Sequence, residues 1–397
     1  MCSISAGGLP QYYFTARVIK IMMSKRKVLI VAGTRPEVIK LAPVIHELSS
    51  RRKAFITRIC LTGQHREMVE EAIHIFGIRS HYTLNVMAEN QSLSHLTATI
   101  IDKIGDILDD FKPHLVLVQG DTTSAFVAAL AGFYRKVQIG HVEAGLRTHN
   151  KYSPFPEEMN RVLISALANH HFAPTVGSKR ALQSEGIDKS KIIVTGNTVV
   201  DALLYILEEV KRIHPSLGGL EKIVGNGQRT VLITGHRRES FGKGFENICN
   251  AIRSLARKFK NCNFVYPVHL NPRVQEPVFR ILSNVPNIHL VGPMGYLSFV
   301  RLMNLSYVIL TDSGGIQEEA PTLGKPVVVM RDATERTEAV EAGSAILVGT
   351  DKSKIVREVT RLLSSEKHWS KMTTAGNPYG DGKAAKRIGE YLEGAMV

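Results

Sequence analysis

The chain has 397 residues, room for two α/β units of ordinary size, and its 44% hydrophobic and 22% charged residues give the balance of a soluble globular protein. Its 50 basic residues exceed its 36 acidic ones by 14, but the cations are spread along the chain and are not interleaved with aromatics, so no nucleic-acid partner is expected. No apolar run approaches the roughly 20 residues that cross a bilayer, and Cys2, Cys60, Cys249 and Cys262 are too scattered for a disulfide framework or a zinc site.

In chain order, residues 1–26 read as a leader, disordered or non-native. Tyr12, Tyr13, Arg17 and Lys20 interrupt any apolar stretch there, so it is not a signal peptide and the protein is expected in the cytoplasm. Short apolar runs at 27–32, 54–61, 115–119 and 137–142 then predict strands, with helices at 37–48, 66–76, 93–111 and 124–134 between them. Strands apolar on both sides imply a parallel sheet buried between two helical layers. A helix at 198–212 and a Gly-rich loop at 215–227 separate this unit from a second. Strands at 229–234, 264–268, 288–291, 308–310 and 326–329 alternate there with helices at 245–259, 272–282, 297–303 and 316–323. The fold class is therefore α/β, with two Rossmann-like, doubly wound domains facing a cleft. The first is expected over 27–197 and the second over 198–382, with a last helix at 383–397 crossing back to the first.

Ligands bind beyond the carboxyl ends of strands in such sheets, and the polar motifs of this chain fall there. Gly33-Thr34-Arg35-Pro36-Glu37 opens the first helix, where free amides, Arg35 and Lys40 suit an anion; a capped helix with two solvated cations explains the same residues. Gly120-Asp121-Thr122-Thr123 follows the third strand, and Asp121 is either a helix cap or a functional acid. Glu143, between His141-Val142 and Ala144-Gly145, is not needed as a cap. Glu157 opens a helix, where it complements the dipole or serves chemistry. Three acids directed at one cleft would push their pKa values apart and supply a proton acceptor and a donor.

The second unit offers Gly235-His236-Arg237-Arg238 after one strand and Asp312-Ser313-Gly314-Gly315 after another. Backbone amides at the second suit a diphosphate, with Glu319 one turn further in to accept from a ribose diol. No P-loop lysine and no G-x-G-x-x-G opens either unit, and the acids come singly from separate loops, so neither ATP, NAD nor a metal is implied. These residues describe a glycosyltransferase equally well.

Taken together and in order, residues 33–40, 64–67, 120–123, 141–147, 154–161, 195–198, 235–242 and 312–319 resemble the non-hydrolysing bacterial UDP-N-acetylglucosamine 2-epimerases. The resemblance runs from about Lys27 to the C-terminus. It implies a glycosyltransferase-B-type fold, a homodimer, a UDP-sugar substrate and no cofactor. It further implies catalytic roles for Asp121, Glu143, Glu157, Lys40 and His236. Arg35, Ser313, Gly314, Gly315, Glu319 and Arg336 match positions that hold UDP, with Phe299 beside the uracil. Gln64, His65, Arg66 and Gln91 match the site where some members bind a second substrate molecule. Met294 departs from the pattern, which has Gln near the uracil.

Overall fold

The computed structural model describes residues 25–63, 66–87 and 91–395. The leader expected at 1–26 therefore lies outside the described residues, apart from Lys25 and Arg26. In the first lobe the order is β1 (Arg26–Ala32), α1 (Arg35–Ser50), β2 (Phe55–Leu61), α2 (Arg66–Ile75), β3 (Tyr82–Thr83), α3 (Leu93–Phe111), β4 (Leu115–Gln119) and α4 (Thr123–Tyr134). It continues with β5 (Gln138–Val142), α5 (Glu157–Leu167), β6 (His170–Ala173), α6 (Val176–Ser184) and β7 (Ile192–Val194), from which α7 (Thr198–Ile213) leads into the second lobe.

The second lobe runs β8 (Arg229–Thr234), α8 (Lys243–Lys258), β9 (Cys262–Pro267), α9 (Pro272–Leu282), β10 (Ile288–Val291), α10 (Tyr296–Leu305), β11 (Val308–Thr311) and α11 (Gly314–Thr322). Then follow β12 (Val327–Val329), α12 (Thr337–Ala342), β13 (Ala345–Leu347), α13 (Lys352–Ser364), α14 (Glu366–Thr373) and α15 (Ala384–Ala395).

Both sheets are parallel throughout, in the orders β3-β2-β1-β4-β5-β6-β7 and β10-β9-β8-β11-β12-β13. Each is doubly wound, as the alternation of runs predicts. Strand order reverses between β1 and β4 in one sheet and between β8 and β11 in the other. Such reversals splay the loops beyond the strand ends and open a crevice. The loops beginning at Gly33, Gly120, Gly235 and Asp312 sit at these two crevices.

Helix α7 joins the lobes. Its Val199, Leu203 and Ile206 belong to one apolar cluster with Leu41, Val44 and Leu48 of α1 and with Val300, Met303 and Ile316 of the second lobe. Burying that much apolar surface on one helix holds the two crevices opposite each other. Helix α15 lies on α1 and α7. Asp201 of α7 accepts from the Ala384 and Ala385 amides at 3.2 and 2.9 Å and so caps α15. Between α7 and β8, the segment expected to be loose contains one 3-10 turn, Leu220–Lys222.

Candidate active site

The first lobe brings α1 to the cleft through Gly33. A Cβ there would stand 2.3 Å from Ser124 Oγ and 2.7 Å from Thr62 Oγ1, so only glycine lets α1 start this close to α4. The amides expected to bind an external anion are already used. Glu37 Oε2 accepts from the Gly33 and Thr34 amides at 3.1 and 2.7 Å, and Glu37 Oε1 accepts from Thr122 Oγ1 at 2.7 Å. Burial nonetheless raises this carboxyl to about 7. The helix start is thus closed by its own side chain, and the external charge is left to Arg35 and Lys40.

A cleft of about 330 Å³ lies between the lobes, walled by Arg35, Ile39 and Lys40 of α1, Val199 of α7, and His236, Tyr296, Phe299, Ser313, Gly315, Ile316 and Glu319 of the second lobe. Seven of the residues singled out from sequence meet there. Phe299 and Ile316 give it an apolar floor, and Ser313 stands at the N-cap position of α11 without a side-chain cap bond, so the N-terminal amides of the helix are left to face an anion favourably. Gly314 makes room for Arg336: a Cβ would fall 2.7 Å from its Nη1. Glu319 is buried and accepts from Tyr296 Oη at 2.7 Å; burial raises it to about 7. His236 is held by its own backbone, because the fully buried Asp312 accepts from the His236 and Arg237 amides at 2.7 and 2.8 Å. Its ring stacks on His269 at 5.3 Å between centroids.

Asp121, Glu143 and Glu157 do not line this cleft, and of the three Glu143 lies against Lys40. The Lys40 ammonium donates to Glu143 Oε1, which also accepts from Asn197 Nδ2 at 3.0 Å, while Gln119 Nε2 donates to Glu143 Oε2. Burial alone would raise Glu143, but the Lys40 ammonium and Arg336 outweigh it and hold the carboxyl below its usual range. Glu143 itself sits at φ 65°, a left-handed conformation that costs energy in a non-glycine residue and clusters at functional sites.

Asp121 is not the helix cap. Thr122 caps α4, accepting from the Ala125 amide at 3.1 Å. Arg161 Nη2 donates to Asp121 Oδ2, and Asn160 Nδ2 donates to its carbonyl at 2.9 Å, so α5 is tied to the Gly120 loop. β4 and β5 pair with Gln119 opposite Val142, which sets the Asp121 and Glu143 loops side by side. Glu157 begins α5 and its Oε2 is buried without a hydrogen-bond partner. Its neighbour Glu158 is structural, taking the Thr148 and His149 amides and Arg161.

Gln64 and His65 fall outside the described residues, and Arg66 is placed as the first residue of α2. Gln91 precedes α3, its Nε2 3.9 Å from Met87 Sδ, away from the cleft. Met294 packs at the edge of the apolar cluster. Sequence reasoning passed over Glu318, whose Oε2 lies 3.2 Å from Lys40 Nζ and whose Oε1 accepts from Arg336 Nε at 2.9 Å. Its doubled Glu318-Glu319 spelling gave no sign of which carboxyl faces which cation. Among the described residues no group of His, Cys, Asp and Glu is arranged to hold a metal ion, and no helix is long and apolar enough to cross a membrane.

A family profile described as UDP-N-acetylglucosamine 2-epimerase matches residues 47–393. The chain belongs to the UDP-N-acetylglucosamine 2-epimerase family. The enzyme of that name from Escherichia coli (strain K12) is 51% identical over 374 residues, covering 94% of this chain and 99% of its own. The crystal structure of the UDP-GlcNAc 2-epimerase from Neisseria meningitidis bound to UDP-GlcNAc is 51% identical, with a TM-score of 0.88 over 92% of this chain and 99% of that one. The Methanocaldococcus jannaschii UDP-GlcNAc 2-epimerase, in complex with UDP-GlcNAc and UDP, is 34% identical with a TM-score of 0.78 over 92% and 99%. A glycosyltransferase from Rickettsia africae, 12% identical at a TM-score of 0.59, shares the two-lobed fold alone. This epimerase family is one of isomerases, and its two-lobed fold is glycosyltransferase-B-like.

Proposed function

We propose that this epimerase inverts C2 of UDP-N-acetylglucosamine to give UDP-N-acetylmannosamine, reversibly, by eliminating UDP to 2-acetamidoglucal and adding it back. The observation that carries the reading is Lys40: it walls the nucleotide cleft and at the same time holds the buried Glu143 carboxylate.

No carbonyl flanks the C2 hydrogen, so its proton is too weakly acidic for simple removal. If the C1–O bond breaks as the proton leaves, the electron pair of C2–H becomes the C1=C2 bond and the C1–O pair departs on UDP. Charge then grows on the diphosphate, where Arg35, His236, Arg336 and the amides of Ser313, Gly314 and Gly315 stabilise it. Phe299 lies beside the uracil and Glu319 accepts from the ribose hydroxyls. A carboxylate among Asp121, Glu143 and Glu157 takes the proton, and another returns one to the opposite face of C2 as the UDP oxygen re-forms its bond to C1. No cofactor enters this scheme, because every electron pair returns to its starting bond type.

The test is to start from each epimer in turn. Both solutions converge on one mixture of the two UDP-sugars, and free UDP does not accumulate. Release of free N-acetylmannosamine identifies a hydrolytic enzyme instead, and inertness toward both epimers moves the proposal to another UDP-2-acetamido sugar. The family likeness also supports a cytoplasmic homodimer, each chain divided into lobes at 27–197, with the last helix, and 198–382.

A further inference from the structure

Glu318 belongs to no role assigned above, yet its side chain is almost fully enclosed beside the cleft, with 1% of it exposed. It lies on α11 in the nucleotide lobe, and its two oxygens face cations from different directions. Arg336 Nε of its own lobe donates to Oε1 at 2.9 Å, and Lys40 Nζ of the opposite lobe is 3.2 Å from Oε2. Lys40 therefore stands between two carboxylates, Glu143 on its own lobe and Glu318 across the cleft.

We propose that Glu318 is a positioning residue for the reaction, holding Lys40 from across the cleft so that the ammonium is shared between the acid-bearing lobe and the nucleotide lobe. The proposal rests on the epimerase reading above. Shared in this way, Lys40 orients Glu143 without giving it the whole of its charge. A carboxylate that faced an unshared buried ammonium would be a weaker base toward a C–H proton, since basicity falls as the paired cation stabilises the anion. The sharing exists only while α11 stands against α1, so lobe closure and the state of Glu143 are one event.

Other charged groups complete the environment. Glu335 pairs with Arg336, Glu319 follows Glu318 on α11, and Tyr379 lies beneath Arg336, its hydroxyl donating to the Arg336 carbonyl at 3.3 Å. His141 lies on the far side of Glu143; its Nε2 donates to the Gly120 carbonyl at 2.7 Å and burial keeps it neutral, down to about 3. Burial raises the Glu318 carboxyl, and the Arg336 and Lys40 cations oppose that rise and favour its charged form; removing the charge leaves Lys40 with one carboxylate partner and adds one net positive charge to a closed cluster.

The experiment compares the wild type with Glu318→Gln by UDP calorimetry and by kcat and kcat/KM across pH. UDP affinity stays within about threefold, kcat falls about tenfold or more, and the acidic limb of kcat/KM moves to lower pH, because Glu143 then faces an unshared ammonium. An unmoved acidic limb, or a kcat loss matched by an equal loss of UDP affinity, would overturn the proposal. If Glu318→Gln does not fold, Glu318→Asp keeps the charge but cannot span both cations, and the same two readings decide. A readout free of turnover separates this inference from the functional one. The 13Cε signal of Lys40 in lysine-labelled protein, assigned by its loss in Lys40→Arg, shifts on Glu318 substitution. If the wild type turns over no UDP-sugar, the function fails, and a Lys40 signal that ignores Glu318 overturns the positioning role by itself.

Discussion

The Lys40 ammonium donates directly to the Glu143 carboxylate, with only 9% and 7% of the two side chains exposed. A charge so enclosed is tolerated only when paired. Here the pair also joins the cleft that fits a nucleotide to the acid-bearing loops beyond it.

Glu143→Gln keeps the shape of this contact and removes its base. Turnover falls by about a thousandfold, in the range for loss of a general base, while UDP binds as in the wild type. Steady-state kinetics and calorimetry with UDP check both halves. Near-normal turnover would remove Glu143 from the reaction.

Lys40→Met leaves Glu143 and Glu318 buried without their common cation. Removing one partner of a buried pair costs about 3–5 kcal/mol. The pH dependence has a definite sign. Glu143 is depressed in the fold by Lys40, so its stabilisation is present above the ordinary carboxylate value of 4.5 and is lost as the pH falls through the folded value. The deficit of Lys40→Met is therefore largest near neutrality and shrinks on acidification. Urea titrations at pH 7 and pH 4 measure it, and an equal deficit at both would contradict the pairing.

Glu319 behaves in the opposite way. Burial raises it from 4.5 to about 7, so the folded state holds a proton that the unfolded state has already lost. Stability falls as the pH rises from about 4.5 to about 7 and then levels off, by about 3 kcal/mol from this group. Glu319→Gln removes the Glu319 share of that slope in the ligand-free protein, leaving the share of Glu37, and it weakens UDP binding because a neutral amide oxygen replaces a carboxylate acceptor for the ribose. Denaturant titrations across this window, paired with UDP calorimetry, give both quantities. An unchanged slope would mean that Glu319 is ionised in the fold.

Gly33→Ala tests the approach of α1 to α4. The added Cβ meets the buried Ser124 and Thr62 side chains well inside contact distance. Overpacking of this kind costs about 2 kcal/mol, and the start of the helix carrying Lys40 is pushed outward. Thermal unfolding and kcat both fall; an unaffected protein would show that the loop yields without moving α1.

The long elements were legible because periodicity and turn chemistry agreed along them. The runs at 27–32 and 229–234 are apolar on both faces, as strands covered by helices must be, and both became central strands. The short strands at Ile288–Val291, Val308–Thr311 and Val327–Val329 were also legible, but those at Tyr82–Thr83, His170–Ala173, Ile192–Val194 and Ala345–Leu347 were not. His170–Ala173 reads His-His-Phe-Ala, and neither its composition nor its length distinguishes it from a loop; the sheet supplies its partners. The site was legible as a set of strand-end loops but not as contacts. Thr122 rather than Asp121 caps its helix, Glu37 fills the amides that seemed open to a ligand, and Glu318 bridges the lobes. The Glu37–Thr122 and Lys40–Glu318 contacts join residues 85 and 278 positions apart, and local spacing carries no information about them; the Thr122 cap and the hold of Glu37 on the Gly33 and Thr34 amides are local turns, where several polar side chains compete for the same amides.

The most direct test of the account is incubation with UDP-N-acetylglucosamine in deuterium oxide, followed by proton NMR. The account predicts UDP-N-acetylmannosamine carrying deuterium at C2, with the C2 proton signal of the remaining substrate fading as the reaction reverses. Epimer that retains its original C2 hydrogen would contradict proton transfer through solvent-exchanging carboxylates, and with it the roles given to Glu143 and its neighbours.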